Sequence, residues 1–191
     1  MTAYITKTDI LTLGYKDLPD DDILEDICIS ASAIADNFCN QPLGNTTTEE
    51  FVDVVLSNSG ISNKIFPSYL PIISVDYVKV YYGINQYEDI LVTDYEIDNR
   101  SGCIDVVQSV YGKIKIGYKH GYATIPNNAK RAIILIASNL LSDFIKREQT
   151  GFEGLRVIED NALKLQFFAD IKNDIIPSSA RRILLNYRRV R

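Results

Sequence analysis

The chain has 191 residues, enough for one generous domain or two small ones, and its 46% hydrophobic and 24% charged content supports a buried core and excludes wholesale disorder. The formal charge of −5, from 20 Lys and Arg against 25 Asp and Glu, argues against nucleic-acid binding over the whole surface while leaving room for a local basic patch. The longest apolar run in the strongest candidate helix, residues 132–137, is six residues, far short of the ~20 that a membrane span needs. The opening Met1-Thr2-Ala3-Tyr4-Ile5-Thr6-Lys7 lacks the charged and apolar regions of a secretion signal, so a soluble, intracellular, globular chain is expected.

Cys28, Cys39 and Cys103 are odd in number and lack CxxC spacing, which indicates neither a disulfide framework nor a zinc site. On one straight helix Cys28 and Cys39 would stand ~16 Å apart, too far for a bridge. The single histidine, His120, removes any His-rich metal site and, beside Gly121, reads as a loop or strand-end residue. No metal or cofactor is expected.

In chain order, Thr6-Lys7-Thr8-Asp9 is a capping-box pattern, and Gly14 supplies a left-handed stop after about two turns of helix. Asp20, Asp21 and Asp22 open a second helix where carboxylates meet the positive end of its dipole. Ile23, Leu24, Ile27, Ala31, Ile34, Ala35 and Phe38 follow at the spacing of one buried stripe, and Pro42 and Gly44 are expected to end it.

Strand grammar occupies residues 46–122. Residues 51–56 form a β-rich run before the Ser57-Asn58-Ser59-Gly60 turn signal. Residues 72–82 read as a long alternating strand between Pro71 and Gly83. Residues 95–98 and 103–107 flank Asn99-Arg100-Ser101-Gly102 as a hairpin, and Lys113-Ile114-Lys115-Ile116 alternates as a half-exposed strand. Nine of the 12 tyrosines lie in this region. They suit a pleated, packed surface or a protein interface better than base stacking, because basic residues are sparse around them in the sequence.

Ile125-Pro126-Asn127-Asn128 starts a third helix. Its body, residues 129–146, has apolar residues on every side around 133–136, so it is expected to be buried nearly all round, as a central core helix or one that also faces another subunit. Residues 155–172 are weakly periodic, and Pro177-Ser178-Ser179 starts a last helix with Ile183, Leu184 and Tyr187 on its apolar side.

No enzyme site emerges: there is no GxSxG elbow, Walker loop or GxGxxG. The acidic run Asp20, Asp21, Asp22, Glu25 and Asp26 lacks the alternating ligands and glycine of a calcium loop and reads as a helix start. Charge asymmetry is more informative. Residues 1–53 carry a net −9, whereas residues 181–191 hold five arginines (Arg181, Arg182, Arg188, Arg189 and Arg191) and no acid. Such an end is a docking element or a nucleic-acid contact, and arginine pairs in planar fashion with carboxylates as well as phosphates. Ends of opposite sign also suit head-to-tail association of copies.

Several stretches together resemble the head–tail connector (adaptor, or head-completion) proteins of tailed bacteriophages and prophages. Tyr4-Ile5-Thr6-Lys7-Thr8-Asp9-Ile10, Asp20-Asp21-Asp22-Ile23-Leu24 and Phe38-Cys39-Asn40-Gln41 resemble that family's paired N-terminal helices. Pro71-Ile72-Ile73-Ser74-Val75-Asp76-Tyr77-Val78 and Asp94-Tyr95-Glu96-Ile97-Asp98 with Gly102 resemble its β insertion. Tyr118-Lys119-His120-Gly121-Tyr122-Ala123-Thr124-Ile125-Pro126 resembles its strand exit into the core helix, and Tyr187-Arg188-Arg189-Val190 its basic tail; residues 149–175 match least.

The resemblance implies an α+β fold, with a helical connector domain over 1–45 and 123–191 and an inserted antiparallel β domain over 46–122. It implies a structural, non-enzymatic virion protein that forms a ring, typically a dodecamer, between the portal protein and a stopper or tail-completion protein. Portal docking then falls to Arg181, Arg182, Tyr187, Arg188, Arg189 and Arg191. Independently of the resemblance, charge leads us to expect that the acidic set Asp20, Asp21, Asp22, Glu25 and Asp26 faces the lumen, where a like-charged wall lets genomic DNA pass without sequence-specific binding, or faces a neighbouring subunit. The competing readings are another neck or tail-completion protein, or a small DNA-binding protein using its arginine-rich end.

Overall fold

The structure is a computed structural model and describes residues 3–15, 18–53, 62–83, 86–98, 102–110, 113–149 and 175–189. It is α+β, with four helices and antiparallel sheets among these residues. The chain divides into two compact units, one from Met1–Gln41 with Ile125–Arg191 and one from Pro42–Thr124.

In the helical unit, α1 (Lys7–Leu11) opens on the expected capping box, with the Asp9 carboxylate accepting from the Thr6 N–H at 2.9 Å and hydroxyl at 3.0 Å. Gly14 lies at φ +79° shortly after it. Helix α2 (Asp21–Cys39) has Asp20 at its N-cap position, without a side-chain capping hydrogen bond, and buries Leu24, Ile27, Cys28, Ala31, Ala35 and Cys39 along one stripe. It ends earlier than Pro42 and Gly44 suggested: Asn40 takes φ 56°, the left-handed stop, and its N–H turns back to the Asn37 and Asp36 carbonyls.

Helix α3 (Asn127–Gln149) packs on α1, on α2 and on α4 (Ser178–Leu184). Its buried side chains are Ala129, Ala132, Ile133, Ile136, Ala137, Leu140 and Leu141. The expectation of burial all round is corrected within the single chain, because Ile134 and Leu135 remain half-buried. Polar ties fix the N-terminal segment to the bundle. Tyr4 Oη donates to the Asp36 carboxylate (2.8 Å), Asp9 pairs with Lys130 (2.8 Å), and the Tyr15 hydroxyl lies 2.7 Å from Ser138 Oγ. Helix α4 contributes Ala180 and Leu184, both fully buried, and a 3₁₀ turn, Leu185–Tyr187, follows. The weakly periodic residues 155–172 lie outside the described residues.

The β unit contains β1 (Thr46–Asp53), β2 (Ser62–Ile65), β3 (Ile72–Gly83), β4 (Gln86–Ile90), β5 (Tyr95–Asp98), β6 (Cys103–Val110) and β7 (Lys113–His120). They form a four-stranded sheet in the order β1-β7-β3-β4 and a three-stranded sheet in the order β2-β6-β5. Inward residues of both sheets share one core: Val78, Val80, Ile114, Ile116 and Tyr118 from the first, Ile65, Ile104 and Val106 from the second. The β5–β6 pairing is the expected hairpin, with Gly102 at φ +68°. Strand β1 starts earlier than the β-rich run, and residues 54–56 and the 57–60 turn lie outside the described residues.

A polar cluster ties the 68–69 turn to this core. Glu50 Oε1 accepts from the Tyr118 hydroxyl and from the Ser68 N–H, each at 2.7 Å, and the Tyr69 N–H donates to Tyr118 Oη at 3.1 Å. Burial and the Glu50 carboxylate push the Tyr118 phenol well above its usual range.

Candidate docking surfaces

Helix α2 carries opposite charge at its two ends. At the start, Asp20, Asp21, Asp22 and Glu25 are exposed and Asp26 is half-buried. Only Asp21 of the first four is engaged among the described side chains, by Lys7 at 2.6 Å; that hydrogen bond, with the carboxylate's charge, raises the Lys7 pKa. The positive end of the helix dipole accounts for acids at this position.

About 27 Å away along the helix, the C-terminal segment is laid against its last turn. The Arg189 N–H donates to the Cys39 carbonyl (2.8 Å), Asn40 Nδ2 to the Arg189 carbonyl (3.1 Å), and Gln41 Nε2 to the Tyr187 carbonyl (2.9 Å). The Arg188 guanidinium stands over the Phe38 ring, 5.3 Å from its centroid. A cation thus sits by the carbonyl end of α2, the favourable end for it. Of the residues expected to dock, Tyr187, Arg188 and Arg189 are gathered there. Arg181 and Arg182 are exposed on α4, and Arg191 lies outside the described residues.

The four-stranded sheet has an outer face that sequence reading undervalued. Alternation places Phe51 and Glu49 of β1, Lys113 and Lys115 of β7, Tyr77, Lys79 and Tyr81 of β3, and Tyr87 and Asp89 of β4 opposite the inward core residues. Phe51 and Tyr87 are 52% and 50% exposed, large values for such rings. Lys79 Nζ lies 4.3 Å from the Tyr87 centroid and Lys113 Nζ 4.9 Å from that of Phe51. Lys115 pairs with Glu49 at 2.9 Å and Lys79 with Asp89 at 3.7 Å. The Tyr77 ring covers Gly117, where a Cβ would come within 2.5 Å of it. The basic residues are scattered along the chain and become neighbours only through the register. The alternating Lys113-Ile114-Lys115-Ile116 and the clustered tyrosines are the local signs of this face in the sequence.

Elsewhere the chemistry is quiet. His120 ends β7 fully buried, its Nε2 2.8 Å from Thr48 Oγ1 and its ring stacked on Tyr69 at 4.8 Å. Burial lowers its pKa, against a smaller opposing pull from Glu50. Burial also pushes the Cys28 thiol up to about 11 and Cys39 up to about 12, so neither is a reactive thiolate near neutrality. Asp98, Cys103 and Asp105 bring potential ligand atoms within 4.8 Å of one another, a grouping the sequence reading did not foresee. The Lys64 ammonium, 3.2 Å from Asp105, already supplies the cation there. No helix among the described residues is long and apolar enough to cross a membrane.

A profile of the head completion protein family matches residues 5–190. The chain belongs to the head completion protein family. It is thus a phage head–tail connector and completion protein, a structural component of virion assembly. Among solved structures, a chain in the neck of an empty gene transfer agent (GTA) particle, computed with C6 symmetry, shares the fold. The TM-score is 0.60 at 12% identity, over 98% of this chain and 91% of that one. No curated protein matches. The family match runs through both units and takes in the α2 ends and the strap at 187–189 of this head completion protein.

Proposed function

We propose that this head completion protein is one segment of a ring seated between the portal protein and the stopper or tail-completion protein, closing the DNA-filled head and joining it to the tail. The observation that carries this is the polarity of α2: exposed carboxylates at one end and an anchored arginine segment at the other, on one rigid helix of a neck-family protein. The acidic end is left for a different patch on a neighbouring copy, a heterologous contact that closes into a ring when the rotation allows, and the arginine end is left for the portal. The six-fold symmetry applied to the GTA neck is compatible with the dodecamer that the family resemblance implies. The protein works by shape and charge in the virion after assembly in the host cytoplasm, without turning over a substrate. Genomic DNA, densely negative, passes through the lumen without sequence-specific contact.

Arg181, Arg182, Arg188, Arg189 and Arg191 are the residues offered to the portal. Deleting residues 181–191 is a poor test of this, because it also removes the fully buried Leu184. Neutralising Arg181 and Arg182 to Gln leaves that core intact. Native mass spectrometry of the full chain with and without portal is expected to show portal-dependent multimers, and the double Gln variant to lose them while keeping its circular dichroism. A wild-type chain that stays monomeric on portal, or is missing from purified virions, overturns the reading. Duplex-DNA binding that weakens steeply with salt would instead favour the DNA-binding alternative.

A further inference from the structure

We propose that the outer face of the four-stranded sheet is the surface on which each copy receives the acidic start of α2 from its neighbour. The inference rests on the ring reading and names the receiving face within it. Four lysines project from this side of β3 and β7 (Lys79, Lys113, Lys115 and Lys119), against Glu49 and Asp89 among the described side chains. Lys113 and Lys119 are exposed and make no ion pair among the described side chains. The complementary set on the same chain, Asp20, Asp22 and Glu25, is likewise exposed and unpaired among the described side chains.

The aromatic rings fit a protein partner better than nucleic acid. Base stacking needs an open ring face, whereas ammonium groups already lie over Tyr87 and Phe51 and Tyr81 packs against these rings at 5.5 and 5.7 Å respectively. What remains available is a rigid apolar floor rimmed by lysines, the composition of an interface that excludes water around ion pairs. Exposed apolar rings of this size on a solvated sheet are otherwise a liability.

The test uses the full chain assembled on portal from equal amounts of ¹⁴N- and ¹⁵N-labelled protein, with a zero-length carbodiimide joining lysines to carboxylates. Mixed-isotope links between Lys113 or Lys119 and Asp22 or Glu25 are expected. Charge reversal supplies a second readout. K113E/K119E and D22K/E25K should each reduce ring formation at least tenfold, and the four substitutions combined should recover most of it. Links confined to one isotope, links of these lysines to portal, or no recovery in the combined variant would overturn the assignment of the face while leaving the ring standing. Wild-type protein that forms no multimer on portal would sink the ring reading itself, and this inference with it.

Discussion

The strand exit from Tyr118 to Pro126 contains the described glycine at which an added Cβ would meet its neighbours most closely, and Gly121→Ala exposes the consequence. Gly121 sits at φ +90°, and a Cβ there would lie 2.2 Å from the Gly44 carbonyl oxygen and 3.1 Å from that of Leu43. An ordinary carbon–oxygen approach is about 3.3 Å, so about 1 Å of backbone movement is required. That movement has to disturb Gly121 N–H to Pro71 O at 3.0 Å and Tyr122 N–H to Leu43 O at 2.8 Å. Left-handed strain on a non-glycine residue costs about 1–3 kcal/mol, and a compromised hydrogen bond adds about 1 kcal/mol. The expected loss is about 2–5 kcal/mol. Gly14→Ala is the internal control, since Gly14 has φ +79° but nothing within 4 Å of a built Cβ, so it bears the strain without the collision. Urea unfolding followed by circular dichroism and tyrosine fluorescence (the chain has no Trp) should show Gly121→Ala less stable than Gly14→Ala by about 1–2 kcal/mol, the part due to the collision and the two hydrogen bonds. Equal losses in the two variants would refute the claim that close backbone approach fixes this glycine.

Two further outcomes follow from the packing. Leu184→Ala should cost about 2–5 kcal/mol through the cavity it leaves under α4, whereas the exposed Arg182→Gln should stay within about 0.5 kcal/mol; thermal melts of the pair separate folding from docking on that helix. His120 is held neutral by burial, so its folded pKa lies below the unfolded 6.5, and the unfolded chain binds the extra proton. Stability should therefore begin to fall as pH drops through about 6.5 and go on falling down to the folded pKa, with a slope of at most about 1.4 kcal/mol per pH unit from this one group. His120→Gln should flatten that part of the profile relative to wild type in urea titrations between pH 7 and 5, and identical profiles would dismiss the buried imidazole as the cause.

How much of this was legible in the sequence depends on the range of the interaction that decides each feature. The start of α1, the Asp20 N-cap position and stripe of α2, the start of α3 and the β5–β6 hairpin are set by residues within a turn or two of each other, and they stand where expected. Asn40 was passed over as a stop because proline and glycine nearby are louder signals, although asparagine also tolerates the left-handed region. Strand β4 has no buried face to print a pattern: residues 86–89 are all exposed, and the strand exists because β3 offers it an edge. The clamp from Cys39, Asn40 and Gln41 onto residues 187–189 joins positions nearly 150 residues apart. No local pattern announces such a clamp, which holds the basic end of the chain against α2 as far as Arg189. The lysine–aromatic face is hidden for the same reason, because only strand register brings its members together.

The spacing of charge along α2 decides what those charges act upon. Its two ends stand about 27 Å apart, more than three Debye lengths at physiological ionic strength, so the acidic start and the arginine-bearing end do not neutralise each other within one subunit. Nor do the exposed acids gain much from their own surroundings: Lys7 holds Asp21 at 2.6 Å and reaches Asp22 and Glu25 only by weaker, longer-range attraction. Exposed like charges clustered in this way repel one another slightly and contribute little to the fold. Their energetic return comes only when a complementary surface is brought within a few ångströms and water is pushed aside, which is what a neighbour in the proposed ring would supply at every interface at once. Weak single contacts repeated around a template then give an assembly that forms on its partner instead of free in solution.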